Sequence, residues 1–156
     1  FFFKQKTAYE IPKRDWSSDV CSSDLQIIRA FATDKSPPEV EATVTRVIDG
    51  DSMMVSAVVW INQTVVTEVR LDGVDTPEKG GKAKCPKERA AADEATKWLR
   101  TLIEGQTVTL IGLVDDKFGG RVRARVKFGQ MDVNAELIKA GYARPYHGEK
   151  REGWCP

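Results

Sequence analysis

KERAAADEATKWLRTLI, residues Lys87 to Ile103, reads as a helix and splits the chain into two groups of strands. Ala91, Ala95, Trp98, Leu99 and Leu102 recur at steps of three and four and form one apolar face. Glu88, Asp93 and Glu94 take the early and outer positions, while Lys97 and Arg100 come late, the order the helix dipole favours. Gly105 ends it. Outward toward the N-terminus, Val40 to Ile48, Ser52 to Trp60 and Thr64 to Leu71 are rich in valine, threonine and isoleucine and read as strands. Asp49-Gly50-Asp51 turns the chain after the first, and Ile61-Asn62-Gln63 after the second. Asp72 to Pro86 reads as loop. Outward toward the C-terminus, Gln106 to Leu113 and Arg121 to Phe128 read as strands around a polar loop, Asp115 to Gly120. Gly129-Gln130 is a turn, Val133 to Ala140 a short helix ending at Gly141, and Tyr142 to Pro156 an irregular tail.

Three strands, a helix, two strands and a short helix make the plan of an OB-fold. This is a five-stranded Greek-key β-barrel with helices, an α+β arrangement with one helix between strands three and four and another after strand five. A small closed barrel fills its interior with side chains. Val44, Val47, Val55, Val69, Leu71, Val108, Leu110 and Val126 are therefore the expected core.

Bulk properties set the class and little more. Hydrophobic residues make up 41% of the 156 and charged residues 30%, the balance of a soluble globular domain. No run of about 18 apolar residues is present, so no segment is expected to span a membrane. A net charge of +1 gives no electrostatic argument for a nucleic-acid partner. Phosphate chemistry must come from local arrangement.

Residues 1–25, FFFKQKTAYEIPKRDWSSDVCSSDL, lack both the helical and the strand period. KQKTAYEI and DWSSDVCSSDL resemble the translation of sequencing-adapter DNA, so this stretch is expected to be an artefactual, disordered leader. It carries four positive and four negative side chains, so setting it aside leaves the net charge unchanged. Residues 26–38 are expected to be a linker or the remnant of a secretion signal, with Ala30-Phe31-Ala32 as its small-residue end, and 39–156 the folded domain. Besides Cys21 the chain has Cys85 and Cys155, which form one bridge or none. A bridge would pin the tail to the barrel and suit an oxidising compartment.

Three polar clusters carry the chemistry: Asp49-Gly50-Asp51-Ser52, Arg70 to Glu78 (RLDGVDTPE) and Asp115 to Arg121 (DDKFGGR). Alone, each has a bland reading as a turn, a loop or a solvated strand end. Phosphodiester hydrolysis requires an activated water, neutralised phosphate oxygens and relief of leaving-group charge. Asp51 and Asp75 offer two carboxylates from different strand ends, the oxygen donors a hard divalent ion prefers. No His/Cys cluster points to zinc. Glu78 stands three residues after Asp75 across a stiffening Pro77, where a carboxylate can orient water. Arg70 and Arg121 supply planar forks that match phosphate oxygens.

In this order the three clusters resemble the thermonuclease, or staphylococcal-nuclease-like, family over roughly Val40 to Tyr146. The resemblance implies a calcium-dependent phosphodiesterase of little sequence specificity, acting on DNA, with RNA left open as a second substrate. It implies Asp51, Asp75 and the Thr76 carbonyl as Ca2+ ligands, Glu78 as general base, and Arg70 and Arg121 as catalytic phosphate clamps. Lys117, Phe118 and Tyr146 are the candidate substrate contacts. It also implies a secreted or periplasmic enzyme, and a monomer is expected. Ser52 stands where the family often has threonine, and Phe118 where many members have tyrosine, which predicts weaker nucleotide binding. An extra glycine precedes Arg121, and a short GWCP end replaces the long basic C-terminal helix of some members. His147, the single histidine, is expected to be exposed and structural, Trp98 to pack in the core, and Trp60 has no assigned role. Tyr142 and Tyr146 are open between packing and substrate contact. The competing reading is an OB-type nucleic-acid or protein-binding module that has lost its chemistry.

Overall fold

The computed structural model describes residues 38–117 and 119–156. The expected leader (1–25), all but Pro38 of the expected linker, and the candidate contact Phe118 lie outside the described residues.

Among the described residues, eight strands and two helices follow in order: β1 (Glu39–Val47), β2 (Ser52–Trp60), β3 (Gln63–Leu71), β4 (Val74–Asp75), α1 (Pro86–Ile103), β5 (Thr107–Asp115), β6 (Arg121–Phe128), β7 (Met131–Asp132), α2 (Val133–Lys139) and β8 (Arg144–Pro145). The sheet order is β3-β2-β1-β5-β6-β7, and β3 also pairs with β6. That parallel pairing, Glu68 opposite Arg121 and Arg70 opposite Arg123, closes five strands into the expected barrel. All eight expected core residues are buried. Val44 and Val47 both point inward although they are three apart, because a bulge between Val44 and Arg46 absorbs the extra residue.

Four sequence expectations need correction. The buried stripe of α1 runs through Ala92, Ala95, Thr96, Leu99 and Ile103, so Ala91, Trp98 and Leu102 lie at its margins rather than along its centre. Trp98 is nevertheless packed on the core, 5.7 Å from the Tyr142 ring. Glu88 is buried at 3% exposure, not outward. It accepts hydrogen bonds from the Glu78 and Lys84 N–H groups at 3.3 and 2.7 Å, and so ties the loop before α1 to the helix. The segment 72–86 is not all loop. It contains β4 and a 3-10 turn, Gly80–Lys82. The tail is not wholly irregular either: β8 pairs with β4, Asp75 opposite Arg144.

The β2–β3 hairpin tip is apolar and exposed, with Val58, Trp60 and Ile61 at 70% or more. This is where Trp60 lies.

Gly50 is required for close packing. A Cβ there would meet Ala95 Cβ at 3.0 Å and Thr76 Cβ at 3.1 Å, pressing the β1–β2 turn against both α1 and the β4 loop. Gly50→Ala is expected to cost about 1–3 kcal/mol by overpacking. Denaturant unfolding of the two proteins measures it. An unchanged midpoint would mean that the three elements part without cost.

Candidate active site

The first polar cluster sits at the β1–β2 turn. Ile48 and Asp49 N–H groups both donate to the Ser52 carbonyl, and Asp49 Oδ1 accepts from the Asp51 N–H at 3.3 Å. Asp49 is thus a turn residue, and it frees Asp51 to point inward. Asp51 is 4% exposed. Its Oδ1 accepts from Ser52 Oγ at 3.1 Å, and its Oδ2 pairs with Arg70 Nη2 at 2.5 Å. Antiparallel pairing of Ser52 with Arg70 brings these two clusters together. Burial pushes the Asp51 carboxyl from 3.8 up to about 7 against the pull of Arg70, with Asp49 adding to the rise. A carboxyl raised in the fold contributes stability below pH 4, and that contribution is lost as pH rises toward 7.

The second cluster follows β3 into β4, where Asp75 and Thr76 are each 6% exposed. Asp75 Oδ2 accepts from Trp154 Nε1 at 3.3 Å. Asp75 Oδ1 is buried and accepts no hydrogen bond, although Arg151 Nε lies beside it at 3.1 Å. Glu78 is half-buried, and its Oε1 takes Arg151 Nη1 at 2.5 Å.

The third cluster holds Arg121. Its Nε donates to Asp116 Oδ2 at 2.6 Å, and its Nη1 reaches Glu68 Oε1 at 3.4 Å. Desolvation pulls the Asp116 carboxyl upward. The Arg121 hydrogen bond, the Lys117 N–H and the charges of Arg121 and Arg70 outweigh it, so Asp116 titrates below the ordinary aspartate range.

The barrel therefore gathers what the sequence scatters. One cleft of about 470 Å³ is lined by Asp51, Ser52, Arg70, Thr76, Glu78, Arg121 and Arg151, with Lys79 and Lys82 at its lip. Arg70 and Arg121 also line an adjoining cleft together with Lys117, Tyr146 and His147. Lys117 and His147 are exposed, and Tyr146 is half-buried. Asp75 faces a third, adjoining cleft, which shares Thr76, Glu78 and Arg151 with the first.

Sequence reasoning missed Glu68 and Asp116, which hold Arg121, and the tail residues Arg151 and Trp154. Arg121, Arg123 and Arg125 alternate along β6 and read from sequence as a basic, solvent-facing strand face, which hid their carboxylate partners. In the aperiodic tail the sequence pointed to Tyr146, and nothing there pointed to Arg151 or Trp154. The structure bonds Cys85 to Cys155, with Cα atoms 6.1 Å apart, and this fastens the tail beside the N-terminus of α1. Arg144 lies 3.9 Å over the Trp154 ring and donates to the Gly153 carbonyl at 3.2 Å, reinforcing the same strap.

The donor set fits a divalent cation. Asp51 is a buried carboxyl held up by desolvation, and Asp75 Oδ1 is a buried oxygen with no hydrogen bond. Both are relieved by a hard cation, which takes carboxylate and carbonyl oxygens such as that of Thr76. The other acidic and thiol cluster among the described residues, Cys85, Glu88 and Cys155, has its sulfurs joined in the disulfide and its carboxylate engaged by the backbone.

Comparison with known proteins agrees with the geometry. The model of the family "Staphylococcal nuclease homologue" matches residues 68–153, over half of the chain. A protein of Candida tropicalis named "Probable endonuclease LCL3" is 33% identical over 129 residues, covering 68% of this chain and 53% of that protein. Its namesake in Kluyveromyces lactis is 39% identical over 88 residues, 52% of this chain and 31% of that protein. An Escherichia coli O157:H7 protein named "Uncharacterized endonuclease" is 26% identical over 108 residues, 69% of this chain and 62% of its own length. The chain spans about half the length of the Candida tropicalis relative. The barrel, the three polar clusters gathered at one end of it and the matched stretch agree: the chain belongs to the staphylococcal nuclease homologue family.

Proposed function

We propose that this chain is a hydrolytic nuclease, a calcium-dependent phosphodiesterase acting on DNA with little sequence specificity, RNA being the second substrate to test. One observation carries the reading. Asp51, Thr76, Glu78, Arg70 and Arg121, drawn from three separate sequence clusters, line a single cleft. Asp51, Asp75 and the Thr76 carbonyl would hold the cation. When bound, Ca2+ supplies charge neutralisation at the phosphate oxygens. Glu78 orients the attacking water and takes its proton. Arg70 and Arg121 present guanidinium forks to the phosphate, and Arg121 offsets charge on the leaving oxygen. Recognition rests on phosphate, which positions a strand without reading its bases. Lys117 and Tyr146, in the adjoining cleft, contact the nucleotide beside the scissile bond.

The Cys85–Cys155 bond supports an oxidising compartment, hence a secreted or periplasmic enzyme. We read it as a monomer. Among the described residues no helix is long and apolar enough to cross a membrane.

The test is cleavage of single-stranded DNA by the purified chain with calcium, then with excess chelator. Cleavage with calcium alone is the expected result. A folded protein inert in both conditions would turn the reading into a nucleic-acid-binding barrel without chemistry.

A further inference from the structure

Arg151 belongs to none of the three clusters that compose the cleft, yet it contacts two of the carboxylates on which the chemistry turns. Its Nε lies 3.1 Å from Asp75 Oδ1, and its Nη1 lies 2.5 Å from Glu78 Oε1. Its guanidinium also lies 5.6 Å over the Tyr146 ring. The neighbouring Glu152 does not draw it away, being directed to Arg144 at 3.8 Å.

The strap that carries Arg151 is fixed at both ends. On one side β8 pairs with β4, and the Tyr146 N–H donates to the Gly73 carbonyl at 3.0 Å. On the other, Trp154 donates to Asp75 Oδ2 and Cys155 is bonded to Cys85. Between these anchors, residues 147–153 are exposed. A charge on so short a tether stays at high effective concentration beside its partners.

A divalent ion at Asp75 requires the carboxylate that Arg151 engages there. Two cations cannot share it at contact distance without strong repulsion, and burial of Asp75 weakens solvent screening. We infer that Arg151 is a tethered internal cation that competes with the divalent ion for Asp75 while pairing with the general base Glu78, and that the Cys85–Cys155 strap holds it in that position. The inference rests on the proposed divalent site. On this reading Arg151 weakens cation binding and keeps Asp75 and Glu78 neutralised without the ion. It is a positioning residue, set apart from Arg70 and Arg121, whose partners are Asp51, Asp116 and Glu68.

Calorimetric titration of Ca2+ into the full chain tests this, with Arg151→Gln, Arg151→Lys and the wild type compared. Arg151→Gln removes the charge and is expected to bind Ca2+ at least about tenfold more tightly. Arg151→Lys keeps the charge and is expected to stay close to the wild type. Denaturant unfolding separates competition from simple support of the fold. The Gln variant is expected to unfold earlier than the wild type in chelator but not in saturating calcium, whereas a supporting contact would lower both. Unchanged or weaker Ca2+ affinity in Arg151→Gln overturns the inference. Should that variant fail to fold, the double change Cys85→Ser and Cys155→Ser keeps Arg151 and loosens its tether. Tighter Ca2+ binding by that protein supports the inference, and unchanged binding overturns it. A wild type that binds and uses calcium beside variants with no gain would sink this inference alone. A wild type that binds no calcium removes the divalent site as well.

Discussion

Glu78→Gln is expected to bind Ca2+ and single-stranded DNA as the unaltered chain does, and to cleave about a hundredfold to ten-thousandfold more slowly. The expectation comes from what the carboxylate touches. Glu78 lines the cleft beside Thr76 and Arg70, half-buried, with its backbone N–H tied to Glu88. The loop is therefore held by the main chain and by Pro77, while the Glu78 carboxylate pairs with Arg151 of the tail, a contact that an amide oxygen can still accept. An amide in its place keeps size and hydrogen bonding but cannot accept the proton of an attacking water. The loss should fall on kcat with KM little changed, since an interaction made only in the transition state is removed. Initial rates over a range of DNA concentrations at saturating calcium give both numbers. A kcat equal to that of the unaltered chain would exclude Glu78 as the base and shift attention to a solvent-derived proton acceptor.

Arg121→Ala is expected to slow cleavage by at least about a hundredfold. Two carboxylates aim Arg121: Asp116 at its Nε and Glu68 at its Nη1. Asp116 is in turn fixed by the Lys117 N–H at 2.7 Å, and its own N–H donates to the Arg121 carbonyl at 3.0 Å. A fork prepared in this way needs little rearrangement when charge develops on a phosphate. Alanine removes the fork and leaves Asp116 and Glu68 without that cation, so the local charge becomes repulsive to substrate. Arg121→Lys separates the two effects: it keeps the charge but loses the bidentate geometry, and should recover only part of the rate. A normal rate in Arg121→Ala would assign the clamp to Arg70 or Arg123.

The barrel was legible because its signals are local. Valine and threonine alternation marked β1, β2, β3, β5 and β6, and the 3.6-residue period marked α1. The polar clusters were legible because Asp51, Arg70, Asp75, Glu78 and Arg121 keep fixed spacing within short stretches. What escaped notice depends on distant pairing. Glu88 looked like an ordinary acidic residue in a helix's first turn, and its burial follows from the loop N–H groups that it receives. The apolar stripe of α1 was misplaced by one position because alanines stand at 90, 91 and 92 and do not say which of them faces the barrel. Arg151 and Trp154 reach the site through a disulfide and a two-residue strand pair, features without sequence period.

The parallel seam between β3 and β6 also bears on how the molecule folds. Glu68 and Arg121 are 53 residues apart, so the seam forms only after a long loop has closed, a step that topology makes slow. Its charges proofread the closure. In the native register Glu68 faces Arg121, and Asp51 and Asp72 take the like-charged neighbours Arg70 and Arg123. A slip of two residues that set Arg70 against Arg121 would keep a like-charged pair and lose the Glu68 contact. The residues proposed to grip a phosphate thus also penalise a wrongly closed barrel. Replacing one of them is expected to change the refolding rate as well as the chemistry.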